Sequence, residues 1–174
     1  MNLYQKQKNI YQGEFNLDSN INKINKLLVD IFNDVLIIEQ NSLQQGPFGD
    51  LSITEMHTIE AIGMYEPKTM TEVASDLKIT VGTLTIAINR LVKKGYVERK
   101  RTEEDRRVVL IGLTKQGKLA YRIHSKFHSD MVKNLITGLS EKEEELLISS
   151  LSKLNDYLKT KYIENNKSKE SGNV

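Results

Sequence analysis

The feature that most constrains the fold is a pair of helix-start signals in the middle of the chain. Ser52 is followed three residues later by Glu55, and Thr69 is followed in the same way by Glu72. In such a capping box, the hydroxyl and the acid satisfy free backbone N–H groups in the first turn of a helix. The pattern therefore predicts two short helices, the first ending near Gly63 and the second near residue 77.

A third short helix is predicted almost immediately afterwards. Thr80 is a favourable N-cap residue, and Gly95 suits the position just after a helix, so the helix is expected to end at Lys94. Only Lys78-Ile79 lies between this helix and the preceding one. Two short helices with so tight a connection predict a helix-turn-helix.

Two short runs typical of β-strands come next. Residues 96–101 and 108–113 flank the polar stretch 102–107, and the second run is rich in β-branched residues. This arrangement predicts a β-hairpin with a charged tip. A hairpin directly after a helix-turn-helix makes the region from about 50 to 114 a winged helix-turn-helix domain.

Long amphipathic helices are predicted on both sides of this domain. Apolar residues recur at intervals of three and four over 19–45 and in two helices over 115–160, so the fold class is mainly α with a small β-hairpin wing. We expect a flexible N-terminal arm over 1–18, a single domain over 19–163 and a flexible tail over 164–174. The terminal helices must pack on each other or on a second copy. Twofold pairing into a homodimer is the simpler expectation, because helix-turn-helix proteins commonly read palindromic DNA.

The charge is distributed unevenly. The net charge is +2, but residues 78–126 hold 13 Lys/Arg and only 4 Asp/Glu, whereas the rest of the chain holds 12 and 19. A basic middle segment in an otherwise acidic chain is typical of a surface that binds a polyanion. It argues against an adaptor that binds only protein.

Other sequence features bear on location. The chain has no cysteine, which excludes disulfides and thiolate metal sites and suits a reducing cytoplasm. The first 20 residues lack an apolar signal core, and the longest strictly aliphatic run, 35–38, is too short to span a membrane. We therefore expect a cytoplasmic protein without a membrane partner.

The third short helix has one apolar side and one side suited to DNA. On a helical wheel the side expected to enter the core holds Val81, Leu84, Ile88, Leu91 and Val92. The opposite side carries no acid; its candidate DNA-binding residues, with the N-cap and the flank included, are Thr80, Gly82, Thr83, Thr85, Ile86, Asn89, Arg90 and Lys93. Hydroxyls, an amide and an exposed aliphatic side chain match base edges in the major groove, and asparagine can bond adenine in a bidentate way. Thr80 and Thr83 can also serve only as capping and turn residues.

The hairpin tip is a second candidate DNA contact. It contains Asp105, Arg106 and Arg107, and the acid can orient a guanidinium through a paired hydrogen bond. An arginine held in this way can enter a narrow minor groove, where the negative potential is strong. The alternative for these residues is an ordinary surface ion pair.

These residues resemble the MarR family of winged-helix transcription regulators. The resemblance extends from about Asn20 to Leu158, and its most specific part is the segment Asp105–Thr114 followed by Lys115-Gln116-Gly117. It implies a homodimeric DNA-binding protein in which Arg107 enters the minor groove and Asp105 steadies it, although Arg106 can exchange roles with Arg107.

Four further stretches are similar to the branch of this family that represses fatty-acid synthesis operons in Gram-positive bacteria: 31–36, 55–59, 81–85 and 127–132. The resemblance implies a repressor with long-chain acyl-acyl carrier protein as corepressor. The candidate ligand-binding residues, expected between the first helix and the helix after the wing, are Ile31, Val35, Met56, His57, Met64, Phe127 and Met131. Packing in the core or at a dimer interface is the alternative for each of them. A small aromatic or phenolic effector is the alternative for the ligand.

Enzymatic activity and a metal cofactor are both disfavoured by the sequence. No arrangement of nucleophile, base and acid, no phosphate-binding loop and no thiolate metal motif is present. His124 and His128 have the spacing of metal ligands on a helix, with His57 as a possible third ligand, but Asp130 is the one acid close to them along the chain. We therefore expect these histidines to pack or to form hydrogen bonds between helices.

Overall fold

The computed structural model describes residues 3–101 and 109–164, with side chains over 19–100 and 109–161. It confirms a mainly α fold with a small β-sheet. The elements in chain order are α1 (Leu3–Gln45), α2 (Ile53–Ile62), β1 (Lys68–Thr69), α3 (Met70–Leu77), α4 (Val81–Lys93), β2 (Val97–Arg101), β3 (Val109–Leu113), α5 (Lys115–Ile136) and α6 (Glu141–Leu158), followed by a π-helical turn at Lys159–Glu164.

The capping boxes form as the sequence predicts. The Ser52 hydroxyl accepts a hydrogen bond from the backbone N–H of Glu55 at 3.2 Å, and the Glu55 carboxylate accepts one from the Ser52 N–H at 2.9 Å. The same pair of bonds joins Thr69 and Glu72. Lys78, with φ of 55°, takes the left-handed conformation that ends α3 and turns the chain into α4.

The wing is one strand larger than predicted. β3 pairs with β2 in the expected antiparallel hairpin and also with β1, so the sheet order is β1-β3-β2. Lys68 pairs with Ile111 and Thr69 with Leu110. A strand of two residues has no alternation of apolar and polar residues, so no periodicity in the sequence could reveal it.

The core lies between α2, α3, α4 and the sheet. Its fully buried side chains include Met56, Ile59, Ile62, Val73, Leu84, Ile88, Leu91, Tyr96 and Ile111. Val81 and Val92, which the helical wheel placed in the core, are instead 44% and 37% exposed. They lie at the edges of the apolar stripe of α4, beside the fully buried Leu84, Ile88 and Leu91.

Side-chain hydrogen bonds connect the residues just after α4 to the residues around the start of α2. The Lys94 ammonium contacts the Glu55 carboxylate at 2.7 Å and also donates to the Asp50 carbonyl. The Tyr96 hydroxyl donates to the Asp50 carboxylate at 2.7 Å. Burial and this acidic partner raise the pKa of Tyr96 to about 12, so the phenol stays a donor at neutral pH.

Two observations bear on the organisation of the chain. α1 begins at Leu3, so the helix includes the segment expected to be a flexible arm. The chain divides into two compact units, 1–124 and 125–174. The single domain over 19–163 stays an expectation.

Gly117 gives a test of how closely α5 packs on the turn after α4. A Cβ at this position would lie 2.1 Å from the backbone oxygen of Tyr96. We expect Gly117→Ala to lower the free energy of unfolding by at least about 2 kcal/mol, since neither backbone can yield easily. The matched control is Gly82→Ala in α4, where the nearest atom is 3.7 Å away and stability should be unchanged or slightly higher. Urea unfolding monitored by circular dichroism measures both; equal stability of the two variants would contradict the prediction.

Candidate nucleic-acid interface

The residues predicted to contact DNA lie together on the exposed side of α4. Leu84, Ile88 and Leu91 are fully buried, which fixes the rotation of the helix about its axis. Ile86, by contrast, is 57% exposed. The other residues of the predicted face that are exposed are Thr80, Gly82, Thr83, Asn89, Arg90 and Lys93, and Thr85 is half-buried beside them.

Local hydrogen bonds limit what the threonines can offer to DNA. The Thr80 hydroxyl caps α4 by accepting from the backbone N–H of Thr83 at 3.1 Å, and it also contacts the Thr83 hydroxyl at 2.9 Å. The Thr85 hydroxyl donates to the Val81 carbonyl at 2.7 Å. Thr85 therefore presents its methyl group and its remaining acceptor capacity, which suit a thymine methyl or a base amino group.

Arg99 of β2 orients the amide of Asn89. Its Nη2 donates to Asn89 Oδ1 at 2.7 Å, and because a guanidinium can only donate, the amide oxygen must be the atom that faces it. The amide NH2 group is left to face outward as a donor. A donor alone matches base acceptors such as purine N7 or thymine O4. The bidentate contact with adenine expected from the sequence therefore needs the second lone pair of an oxygen that is already bonded to Arg99.

The Asn89–Arg99 pair lines an open cavity beside α4. Its volume is about 660 Å³, and its lining residues are Met70, Thr85, Asn89, Arg99 and Val109. The cavity thus lies where α4, β2 and β3 meet.

The electrostatics of this surface favour a polyanion. α4 contains no acidic residue and has Arg90 and Lys93 in its last turn. β2 adds Arg99 and Lys100, both exposed. Glu98, the acid of β2, pairs with Lys100 at 2.8 Å. The predicted tip residues Asp105, Arg106 and Arg107 fall in 102–108, outside the described residues.

The candidate ligand-binding residues differ in burial. Met56 is fully buried in the core, Ile31 is 55% exposed, and His57 Nε2 lies 3.2 Å from Glu39 Oε1. The half-buried members are Val35, Met64, Phe127 and Met131. Their contact with an acyl chain stays a prediction.

Glu39 is the residue that sequence reasoning missed, because it lies 18 positions from His57 and carries no motif of its own.

Comparison with known proteins agrees with this geometry. The chain matches the MarR family over residues 51–109. It is 33% identical over 117 residues to the organic hydroperoxide resistance transcriptional regulator of Bacillus subtilis, a match that covers 66% of this chain and 76% of the relative. It also matches YhjH, an uncharacterized HTH-type transcriptional regulator of Bacillus subtilis, at 24% identity, where it spans 62% of the relative's length.

Solved structures show the same architecture. The crystal structure of Streptococcus pneumoniae FabT in complex with DNA is 44% identical, covers 80% of this chain and 98% of its own, and has a TM-score of 0.77. The MepR–DNA complex of S. aureus, at 23% identity, covers 76% of this chain and 94% of its own with a TM-score of 0.62, which supports the fold alone. Within the described residues, no helix is both long and apolar enough to cross a membrane.

The pairing of Asn89 with Arg99 predicts a coupled effect on DNA binding. Asn89→Ala should weaken binding to a DNA site selected by the wild-type protein by about 1–3 kcal/mol, because one base contact is lost. Arg99→Ala should remove much of the same contact, so the double variant should bind more tightly than the sum of the single losses implies. Fluorescence anisotropy at fixed salt measures the four affinities. Lys100→Ala, on the same strand, is the control and should add independently to Asn89→Ala; strict additivity for Arg99 as well would contradict the orienting role.

Proposed function

The chain belongs to the MarR family of DNA-binding transcriptional regulators, and on that premise we propose that it is a homodimeric repressor of fatty-acid biosynthesis genes with long-chain acyl-acyl carrier protein as corepressor. Family membership makes it a regulator and not an enzyme. The observation that carries the DNA-binding part is the acid-free exposed face of α4, which is held in place by three fully buried residues on its other side.

Exposed apolar faces support the homodimer. On α1, the side chains of Ile24, Leu27 and Ile31 are each more than half exposed. On α6, Leu147, Leu151, Leu154 and Leu158 share one face and are 36–54% exposed, and no described residue of that helix is buried. Apolar stripes of this extent are unfavourable in water and mark an interaction surface. Pairing with a second copy of the chain would remove apolar stripes such as these from water.

The corepressor assignment rests on sequence likeness. The stretches that resemble the fatty-acid-synthesis branch lie in four different helices: 31–36 in α1, 55–59 in α2, 81–85 in α4 and 127–132 in α5. The 44% identity to FabT over 98% of that chain supports the same branch. The acyl chain would supply binding free energy by leaving water for an apolar site.

A small aromatic or phenolic effector is the second candidate, and the cavity beside α4 favours it. A volume of about 660 Å³ falls within the range of small-molecule sites. Met70 and Val109 supply apolar lining, while Asn89 and Arg99 supply polar groups. A ligand in this cavity would compete with DNA for Asn89, so it would lower the affinity for DNA.

The arginines of the wing tip can be tested one at a time. We expect Arg107→Ala to weaken operator binding and to reduce the slope of log affinity against log salt by about 0.9, because the wing would lose one cation that enters the minor groove. Arg106→Ala is the matched control, with the same charge change at the adjacent position, and should have the smaller effect. Gel-shift titrations at several salt concentrations measure both. If both variants bind like the wild type at physiological salt, the wing does not contact DNA.

The choice between the two effectors can be decided by affinity measurements. Long-chain acyl-acyl carrier protein should tighten operator binding by about 5- to 150-fold, the usual range of allosteric coupling, whereas the unacylated carrier should not. Salicylate, a simple phenolic probe, should have no effect. An unchanged affinity with the acylated carrier would refute the corepressor proposal, and weaker binding with salicylate alone would establish the second candidate. Mass spectrometry of lipid that copurifies with the protein gives an independent check.

A further inference from the structure

The connection between α1 and α2 is packed tightly against the end of α1. It comprises residues 46–52, and two of its side chains, Phe48 and Leu51, are buried in the core. A Cβ at Gly49 would lie 2.8 Å from the backbone oxygen of Gln44 in the last turn of α1. The Leu51 N–H donates to the Phe48 carbonyl at 2.9 Å, which closes the turn. The position of this connection therefore follows the position of the end of α1.

Tyr96 is attached to the end of α4 through its backbone. Its N–H donates to the Leu91 carbonyl at 3.0 Å, and the N–H of Gly95 donates to the Val92 carbonyl at 3.0 Å. These two bonds are typical of a helix end that carries a glycine in the left-handed conformation, and Gly95 has a φ of 81°. The Tyr96 side chain is 1% exposed. The position of Tyr96 therefore follows the position of α4.

The Tyr96 side chain joins these two parts of the molecule. Its hydroxyl donates to the Asp50 carboxylate at 2.7 Å. Its ring packs edge-to-face on Phe48, with ring centroids 6.0 Å apart and an angle of 74° between the planes. The Lys94 ammonium adds a second bond, to the Asp50 carbonyl. A hydrogen bond to a carboxylate is stronger than one between neutral groups, so the hydroxyl supplies a specific link between α1 and α4.

We propose that Tyr96 is a positioning residue for DNA binding, which sets α4 relative to α1 and thereby the spacing of DNA half-sites that the protein accepts. The inference rests on the proposed function, in which α1 pairs with a second copy and α4 reads the DNA. Twofold dimers of this kind bind half-sites about one helical turn apart, or about 34–36 Å. Because each copy carries the link, loosening it relaxes the distance between the two α4 helices from both sides.

DNA sites with altered spacing test this role. Inserting one base pair between the half-sites shifts them by about 3.4 Å and rotates one relative to the other by about 34°. We expect the wild type to discriminate strongly against the inserted site in fluorescence anisotropy titrations. Tyr96→Phe keeps the ring and removes only the hydroxyl, so it should fold, bind the original site about fivefold or more weakly, and lose less affinity on insertion. A loss of stability alone would lower both affinities by the same factor.

Tyr65→Phe is the matched control for this substitution. Tyr65 is 82% exposed, so removal of its hydroxyl should leave both affinities as in the wild type.

Two variants of Asp50 isolate the hydrogen bond. Asp50→Asn and Asp50→Ala remove the same charge, but only asparagine keeps an oxygen that accepts from Tyr96. We expect the asparagine variant to keep the wild-type dependence on spacing and the alanine variant to behave like Tyr96→Phe. Adding Tyr96→Phe to Asp50→Ala should change little further, because both remove one bond.

The outcomes separate this proposal from the proposed function. Equal spacing dependence of the two Asp50 variants, or wild-type discrimination in a folded Tyr96→Phe protein, would overturn the role of Tyr96 and leave the homodimer intact. A wild-type protein that is monomeric in sedimentation and binds both DNA sites equally would overturn the homodimer and the role of Tyr96 together.

Discussion

The close approach of α5 to the turn after α4 is the contact on which the rest of the arrangement depends. Gly117 sits directly against the backbone carbonyl of Tyr96, where any side chain would collide. The Thr114 hydroxyl donates to the Gly95 carbonyl at 2.7 Å and accepts from the N–H of Gly117 at 3.1 Å, which begins α5 at the same place. These contacts connect the end of α4, the end of β3 and the first turn of α5. They place the end of α4 next to the start of α5.

Sequence reasoning succeeded where local chemistry determines structure. The ends of α2, α3 and α4 are determined by hydrogen bonds within a few residues. These signals are the capping boxes at Ser52 and Thr69, the N-cap at Thr80 and the glycine after α4, and a single sequence is enough to recognise them. It failed where structure depends on distant partners. β1 exists only because β3 pairs with it, and the exposure of Val81 and Val92 depends on what packs beside the edges of α4.

The same distinction applies to the functional residues. The exposed face of α4 could be read from a helical wheel, because three fully buried residues fix the rotation of the helix. The role of Arg99 could not be inferred from the sequence, because its contact with Asn89 joins a strand to a helix. Neither residue type by itself indicates the pair. Glu39 was missed for the same reason: its relation to His57 and His124 arises only when three helices come together. Periodicity identifies which side of a helix is available, but only the tertiary structure shows which side chains are already engaged.

The bond from Arg99 to Asn89 has a consequence for how such a regulator acquires a new target sequence. The orientation of the Asn89 side chain is set by a residue on the wing, so replacing Asn89 alone would leave the Arg99 guanidinium without this acceptor in a concave surface of the protein. A substitution at position 89 therefore calls for a matching substitution at position 99. Libraries built to redirect the protein should randomise positions 89 and 99 together, and descendants that diverge at one of them should carry a compensating change at the other.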